Sequence, residues 1–407
     1  MPQHHSPDAT ERFPILTARR DMKMARSAHA FVRGSTRNFY DWLQTSGERS
    51  LPAGPPVWIC GDCHLGNLGP LADAKGHIAV QIRDLDQTVV GNPAHDLIRL
   101  GLSLATAARG SDLPGVTTAH MIEEMTEGYG LALSGFQDGD TGSMEPTPEV
   151  IRTLIGHALG RKWKHLARER IRNVKPSIPL GDKFWALSDE EQHEIGALFE
   201  GDRLRAFMAA LHPGHGQHLT VHDVAYWVKG CSSLGRLRYA VLLGVGHGRD
   251  EKLCLVDIKE AVQAAAPRAS GAAMPGDDAG RAVEGARSLA PFLGERMLAS
   301  RLLGRPVVMR ELLPQDLKLE IDQLSRKEAV EAARYLASVV GQAHASQMDT
   351  AARNAWGREL GRSRHVDGLD APSWLWSSVV QLMAVHEAAY LEHCRAYARD
   401  EDRRSAA

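Results

Sequence analysis

Apolar residues recur at helical spacing between Arg19 and Leu43 (Met22, Ala25, Phe31, Val32, Phe39, Trp42), which predicts two helices broken near Gly34. The stretch "LPAGPP" stops them, because proline fixes φ and carries no N–H. Val57 to Cys60 reads as a short strand, and "LGPLADAKGHIAVQIRDLD" as a hairpin turning at Gly76. Asp96 to Ala108 places Leu97, Leu100, Gly101 and Leu104 on one helix face. Residues 111–220 are predicted mostly helical, interrupted by "QDGDTGSMEPTPE" and "NVKPSIPLGD". The basic piece "GRKWKHLARERIRNVKP" reads as a solvated helix face or as an anion-binding surface.

After Val221 the period changes. "AYWVKGCSSLGRLRYAVLLGVGHGRDEKLCLVDIKEA" reads strand, glycine turn, strand, polar hairpin, strand. "APRASGAAMPGDDAG" is a low-complexity loop, expected to be mobile. A helix around Arg281 to Leu293 and a strand "GRPVVMRELLP" ending at Pro314 follow, and from Ser325 the chain is helical again. No internal repeat is visible. The pattern divides the chain into a helical part, 1–220, a β-rich part, 221–315, and a helical remainder, 316–407, hence an α+β protein.

Composition narrows the setting. The 407 residues are 43% hydrophobic and 24% charged, as in ordinary globular proteins. A net charge of -2 steers the whole molecule neither to nucleic acid nor to an anionic membrane. No run approaches the roughly 18 apolar residues of a membrane span, and "MPQHHSPDATERFPILTARR" has no apolar signal core. The 5 cysteines are odd in number and scattered, which fits a reducing cytoplasm.

The stretch "WICGDCHLGN", residues 58–67, carries the chemistry. As C-x-x-C-H it could attach haem, but that needs an exported context. As half a zinc site it needs a second ligand pair, and Cys231 stands alone. Phosphoryl transfer instead needs a carboxylate beside the acceptor, metal ligands, and cations on the phosphates. Asp62 and Asn67 have the D-x-x-x-x-N separation of a kinase catalytic loop. Asp84, in "IRDLD", is placed to complete a magnesium site from oxygen donors.

"CGDCHLGN" followed by "IRDLDQTVVGNPAHDL" resembles the paired motifs of the aminoglycoside phosphotransferase and choline kinase group. From Met22 to Tyr397 the chain resembles more closely the bacterial family called domain of unknown function 2252, through "FVRG", "GDCHLGN", "IKEA" and "RELLPQDLK". The first resemblance implies Asp62 as base, Asn67 and Asp84 as magnesium ligands, and Asp96 as a buried brace. His64 would stand where protein kinases carry a phosphate-facing lysine. Cys60 replaces the motif's first histidine, which puts loop rigidity in question. Gly230, Ser232, Ser233 and Gly235 would form a glycine loop over the phosphates of ATP, with Ser232 where kinases have a third glycine. Lys259 in "VDIK" would hold those phosphates, paired with Glu284 or else Glu295. Arg310 to Leu313, with Glu311 and Leu313, would meet the adenine. The glycine loop follows the catalytic loop here, so the implied fold is a two-lobed, protein-kinase-like one in circularly permuted order. The acceptor stays unidentified. Nucleotidyl transfer in the same cleft and a nucleotide-binding pseudokinase are the alternatives.

Overall fold

A computed structural model of the protein describes residues 6–47, 51–73, 75–136, 145–160, 177–215, 218–231, 233–248, 251–316, 325–362 and 369–405. Most of the basic piece, 161–176, and the candidate Ser232 lie outside the described residues.

Helix and strand segregate, giving an α+β architecture. Three helices, Arg12–Ala25, Ala28–Gly34 and Thr36–Trp42, precede strand β1 (Val57–Ile59). The extra break is an N-cap: the Ser27 hydroxyl accepts the Ala30 N–H and starts a new helix. Strands β2 (Leu68–Ala72) and β3 (Ile78–Ile82) form the expected hairpin, and β4 (Val89–Gly91) returns to pair with β1. The helix Ala94–Gly110 follows. It is apolar nearly all round and lies at the centre of the helical core, against Gly115–Ser134, Arg326–Ala345 and Ser373–Ser405. The start at Ser325 is a capping box with Glu328.

Strands β5 (Phe184–Trp185), β6 (Leu219–Trp227), β7 (Arg238–Val245), β8 (Lys252–Glu260), β9 (Met297–Leu302) and β10 (Arg305–Leu312) form one antiparallel sheet in the order β5-β6-β7-β8-β10-β9. The pattern did not predict β5, which is too short to show a period, or β9. A two-residue turn at Leu303 and Gly304, both with positive φ, joins β9 to β10. Leucine there hides the usual Asn-Gly hairpin signal.

Alternation along the strands gives the sheet two different faces. Tyr239, Val241, Val256, Ile258, Val307 and Met309 face a back layer formed by helices Asp189–Glu200 and Asp202–Leu211 and by Leu16. Residue 221, where the β-rich part was expected to begin, lies within strand β6. Arg12 ties the two ends of this layer together through a buried pair with Glu191 at 2.6 Å. The segment 266–280, expected to be mobile, is docked at its start: Ala266 is buried and the Ala269 N–H donates to Val90 O at 2.8 Å.

Candidate functional site

The loop after β1 is held from behind by one carboxylate. Asp96, in the first turn of its helix and fully buried, accepts the N–H of Cys60 at 2.7 Å and of Gly61 at 2.9 Å. His344 Nε2 lies 3.2 Å from the same carboxylate, its Nδ1 lies 2.9 Å from the Tyr129 hydroxyl, and Trp356 Nε1 donates to that hydroxyl at 3.1 Å. Each ring nitrogen of His344 thus has a partner in this relay. Gly61 has φ +73, and a Cβ there would meet Gln87 O at 2.1 Å, so the turn requires glycine. The Cys60 thiol, where the resembling motif has histidine, reaches Asp84 O at 3.6 Å. Cys60 and Cys63 are buried free thiols.

Beyond the turn, the buried Arg99 grips Asp62 by Nε–Oδ1 at 2.9 Å and donates to Val32 O at 2.5 Å. Burial raises the Asp62 carboxyl pKa, and the Arg99 charge works against that rise. Asn67 spends its amide N–H on Asp62 O at 2.9 Å, which leaves its side-chain oxygen as the donor for a ligand. His64 lies 3.8 Å from Asp62 and is buried. Burial first, then the charges of Arg99 and Arg33, push its pKa well down, so it is a neutral imidazole. Its Nδ1 has no hydrogen-bond partner among the described residues. The position implied for a phosphate-facing cation thus carries no charge.

Across from the loop, Lys259 Nζ lies 3.3 and 3.4 Å from the two Asp84 oxygens and also contacts Asp86. Burial tends to raise the Asp84 pKa, but Lys259, Arg310 and Arg238 together hold it far below the usual carboxylate range. Burial and the Asp84 charge raise Asp86 instead. One ammonium thus keeps a carboxylate pair together and Asp84 ionised. Ionised Asp84 and the Asn67 amide are hard oxygen donors of the kind magnesium takes, and both line the same cleft.

That cleft has a volume of about 520 Å³ and runs from Asp62, His64 and Asn67 to Gly230 and Ser233. Gly230 and Gly235, at φ +90 and +89, shape the turn between β6 and β7 that overhangs it. A larger hollow of about 870 Å³, beside Pro55 and helix Thr350–Gly361, has one lining carboxylate, Glu359, which already pairs with Arg362. It has none of the chemistry above.

Four charged side chains cover the sheet face over the cleft. Arg310 is directly opposite Asp257 in the register and Arg238 directly opposite Lys259. Arg238 forks onto Asp257 at 3.0 and 2.6 Å. Burial would raise Asp257, but Arg238 and Arg310 hold it well below the ordinary range.

Three expected contacts are corrected. Glu284 does not meet Lys259: it is half-exposed and pairs with Arg287 at 2.6 Å, one helical turn on, while Glu295 is exposed. Glu311 does not face the cleft. It follows Arg310 on β10, so its side chain points to the back layer, buried with His212 Nε2 at 3.1 Å and with Cys254. Its N–H donates to Arg296 O, and the Leu313 N–H donates to Asp316 at 3.3 Å, so both hinge donors are already engaged.

The sequence pattern did not single out Arg99, Arg238 or Asp257. A signal existed for two of them. Asp257 two residues before Lys259, in an otherwise apolar strand, marks that face as polar. An arginine one turn after Asp96 on an apolar helix marks a buried partner.

Fold and site together define a mixed α/β protein with a charged cleft between a braced loop and an antiparallel sheet. The chain belongs to the family described as "Uncharacterized protein conserved in bacteria (DUF2252)", whose pattern matches residues 12–396. No curated protein and no solved structure matches it. No helix among the described residues is long and apolar enough to cross a membrane.

Proposed function

We propose that this protein is an ATP- and magnesium-dependent phosphotransferase with a protein-kinase-like fold in circularly permuted order. One observation carries the reading: Lys259 and Asp84, 175 residues apart in sequence, lie within ion-pair distance, and Asp84 also lines the cleft that holds Asp62 and Asn67. Phosphoryl transfer is mostly positioning and charge neutralisation, and these four residue types supply both. Asp62 takes the proton from the acceptor group, and the Arg99 grip fixes the direction of its carboxylate. Asn67 and Asp84 would hold the metal ion, which neutralises phosphate charge. Lys259 moves from Asp84 to the phosphates as the nucleotide enters.

A second reading, nucleotidyl transfer, is favoured by the sheet face. Arg238, Asp257 and Arg310 occupy the place where an adenine would need apolar contacts. Such a face suits phosphates lying beneath the sheet with the base turned outward.

Phosphorus NMR of ATP, magnesium and purified protein separates the readings. ADP supports the first and pyrophosphate the second. Asp62→Asn should cut turnover on the order of 100- to 10,000-fold while nucleotide affinity stays within a few-fold. Release of neither product by protein that binds the nucleotide would refute both enzyme readings and leave a nucleotide-binding module.

A further inference from the structure

The cleft is more basic than a nucleotide alone explains. Arg83, Arg238 and Arg310 lie on the sheet side near Asp84. Lys23, Arg26 and Arg33 of the N-terminal helices and Lys229 beside the glycine turn also line it, and among the described residues the only carboxylates on the cleft wall are Asp62 and Asp84. Asp62 is engaged by Arg99 and Asp84 by Lys259. Neither Arg26 nor Arg33 has a carboxylate within ion-pair reach among the described residues. The Arg33 guanidinium instead lies over the Gly66 backbone, where a Cβ would come within 3.0 Å of its Cζ. Lys23 Nζ donates to Gly230 O at 3.0 Å, which ties the N-terminal helices to the glycine turn. The cations crowd one another: burial, Arg26 and Arg19 lower the Lys23 pKa. His64, more than nine-tenths buried, lines the same cleft 3.8 Å from Asp62, and its Nδ1 has no hydrogen-bond partner among the described residues.

We propose that Lys23, Arg26 and Arg33 form the acceptor's site, and that the acceptor carries a phosphate-type oxyanion. Like charges held together without a counter-charge are destabilising until an anion arrives. Two guanidinium groups and an ammonium suit a phosphate by forked and point-charge contacts. The orphaned His64 nitrogen offers a further polar contact close to the base. The reacting hydroxyl or amine of such an acceptor would then lie at Asp62 while its anionic group rests on the N-terminal helices. Cationic acceptors, including choline and aminoglycosides, are repelled by the same surface. The word acceptor rests on the phosphotransferase reading. The anion site does not.

The test is calorimetric titration with inorganic phosphate, run with and without saturating magnesium and a non-hydrolysable ATP analogue. Phosphate should bind the wild-type protein in both conditions, with affinities within about threefold of each other. Arg26→Glu, at an exposed position that tolerates change, and Arg26→Ala/Arg33→Ala should each weaken phosphate about tenfold or more while the Mg-nucleotide melting shift is kept. Choline should give no heat. The proposal is overturned if phosphate does not bind at about 10 mM, if the variants bind it as well as wild type, or if Mg-nucleotide displaces it. The last result would assign these cations to the nucleotide itself. Phosphate binding without any nucleotide binding would overturn the phosphotransferase reading and leave the anion site standing.

Discussion

Behind the catalytic-type loop, the polar groups are hydrogen-bonded partners gathered on one carboxylate, Asp96, in a fully buried relay. Across the cleft, the sheet presents four full charges on one face, Arg238, Asp257, Lys259 and Arg310. The first construction fixes backbone geometry, because a satisfied buried network has a single low-energy arrangement. The second can exchange partners, because a lysine shared by two carboxylates moves when a stronger anion arrives. The loop side is built to hold still and the sheet side to respond.

Three changes would break or sharpen this contrast. Asp96→Ala leaves two backbone N–H groups and His344 without their acceptor, and should cost about 3–5 kcal/mol, read as a lower urea midpoint. A loss below about 1 kcal/mol would mean the loop does not depend on its brace.

Acid should act on the same side. Burial depresses His95 and His386 from 6.5 to about 4 each, partly offset by Asp96 for His95. The unfolded chain then binds protons that the fold refuses. Stability is complete above pH 6.5 and is lost as pH falls towards 4, by up to about 1.4 kcal/mol per unit for each histidine. His95→Gln should flatten that decline in a melting series from pH 7 to pH 4.5. An unchanged slope would show that His95 does not drive it.

The smallest effect belongs to Glu284. Its only ion pair among the described residues is half-exposed and local, so Glu284→Ala should change stability by less than about 0.5 kcal/mol and leave Mg-ATP affinity unaltered. A tenfold loss of affinity would restore it as the partner of Lys259 in the bound state.

The same contrast explains what was legible beforehand. Asp62, Asn67, Asp84 and Asp96 lie within 35 residues of chain, where spacing alone nearly sets geometry, and the structure brings all four to the loop and its brace. The helices around them followed from their caps and apolar faces. On the sheet, register decides, and a shift of one residue turns a side chain to the other face. That is how Glu311, expected in the cleft together with Arg310, points to the back layer while Arg310 faces the cleft. Lys259 was legible because "VDIK" is a local motif. Its approach to Asp84 was expected only through the permuted-kinase resemblance, and Asp86 as a second partner was not, since both reach it from a distant hairpin by tertiary folding alone.

The central claim is that Asp84, Asn67 and Lys259 make one magnesium-nucleotide site beside Asp62. Thermal unfolding of wild type and Asp84→Ala, each with ATP and with or without magnesium, tests it most directly. The account predicts a rise in melting temperature for wild type that needs both ATP and magnesium and disappears in the variant, because stabilisation by a ligand vanishes with its binding. No shift in wild type, or an equal shift in Asp84→Ala, would contradict it.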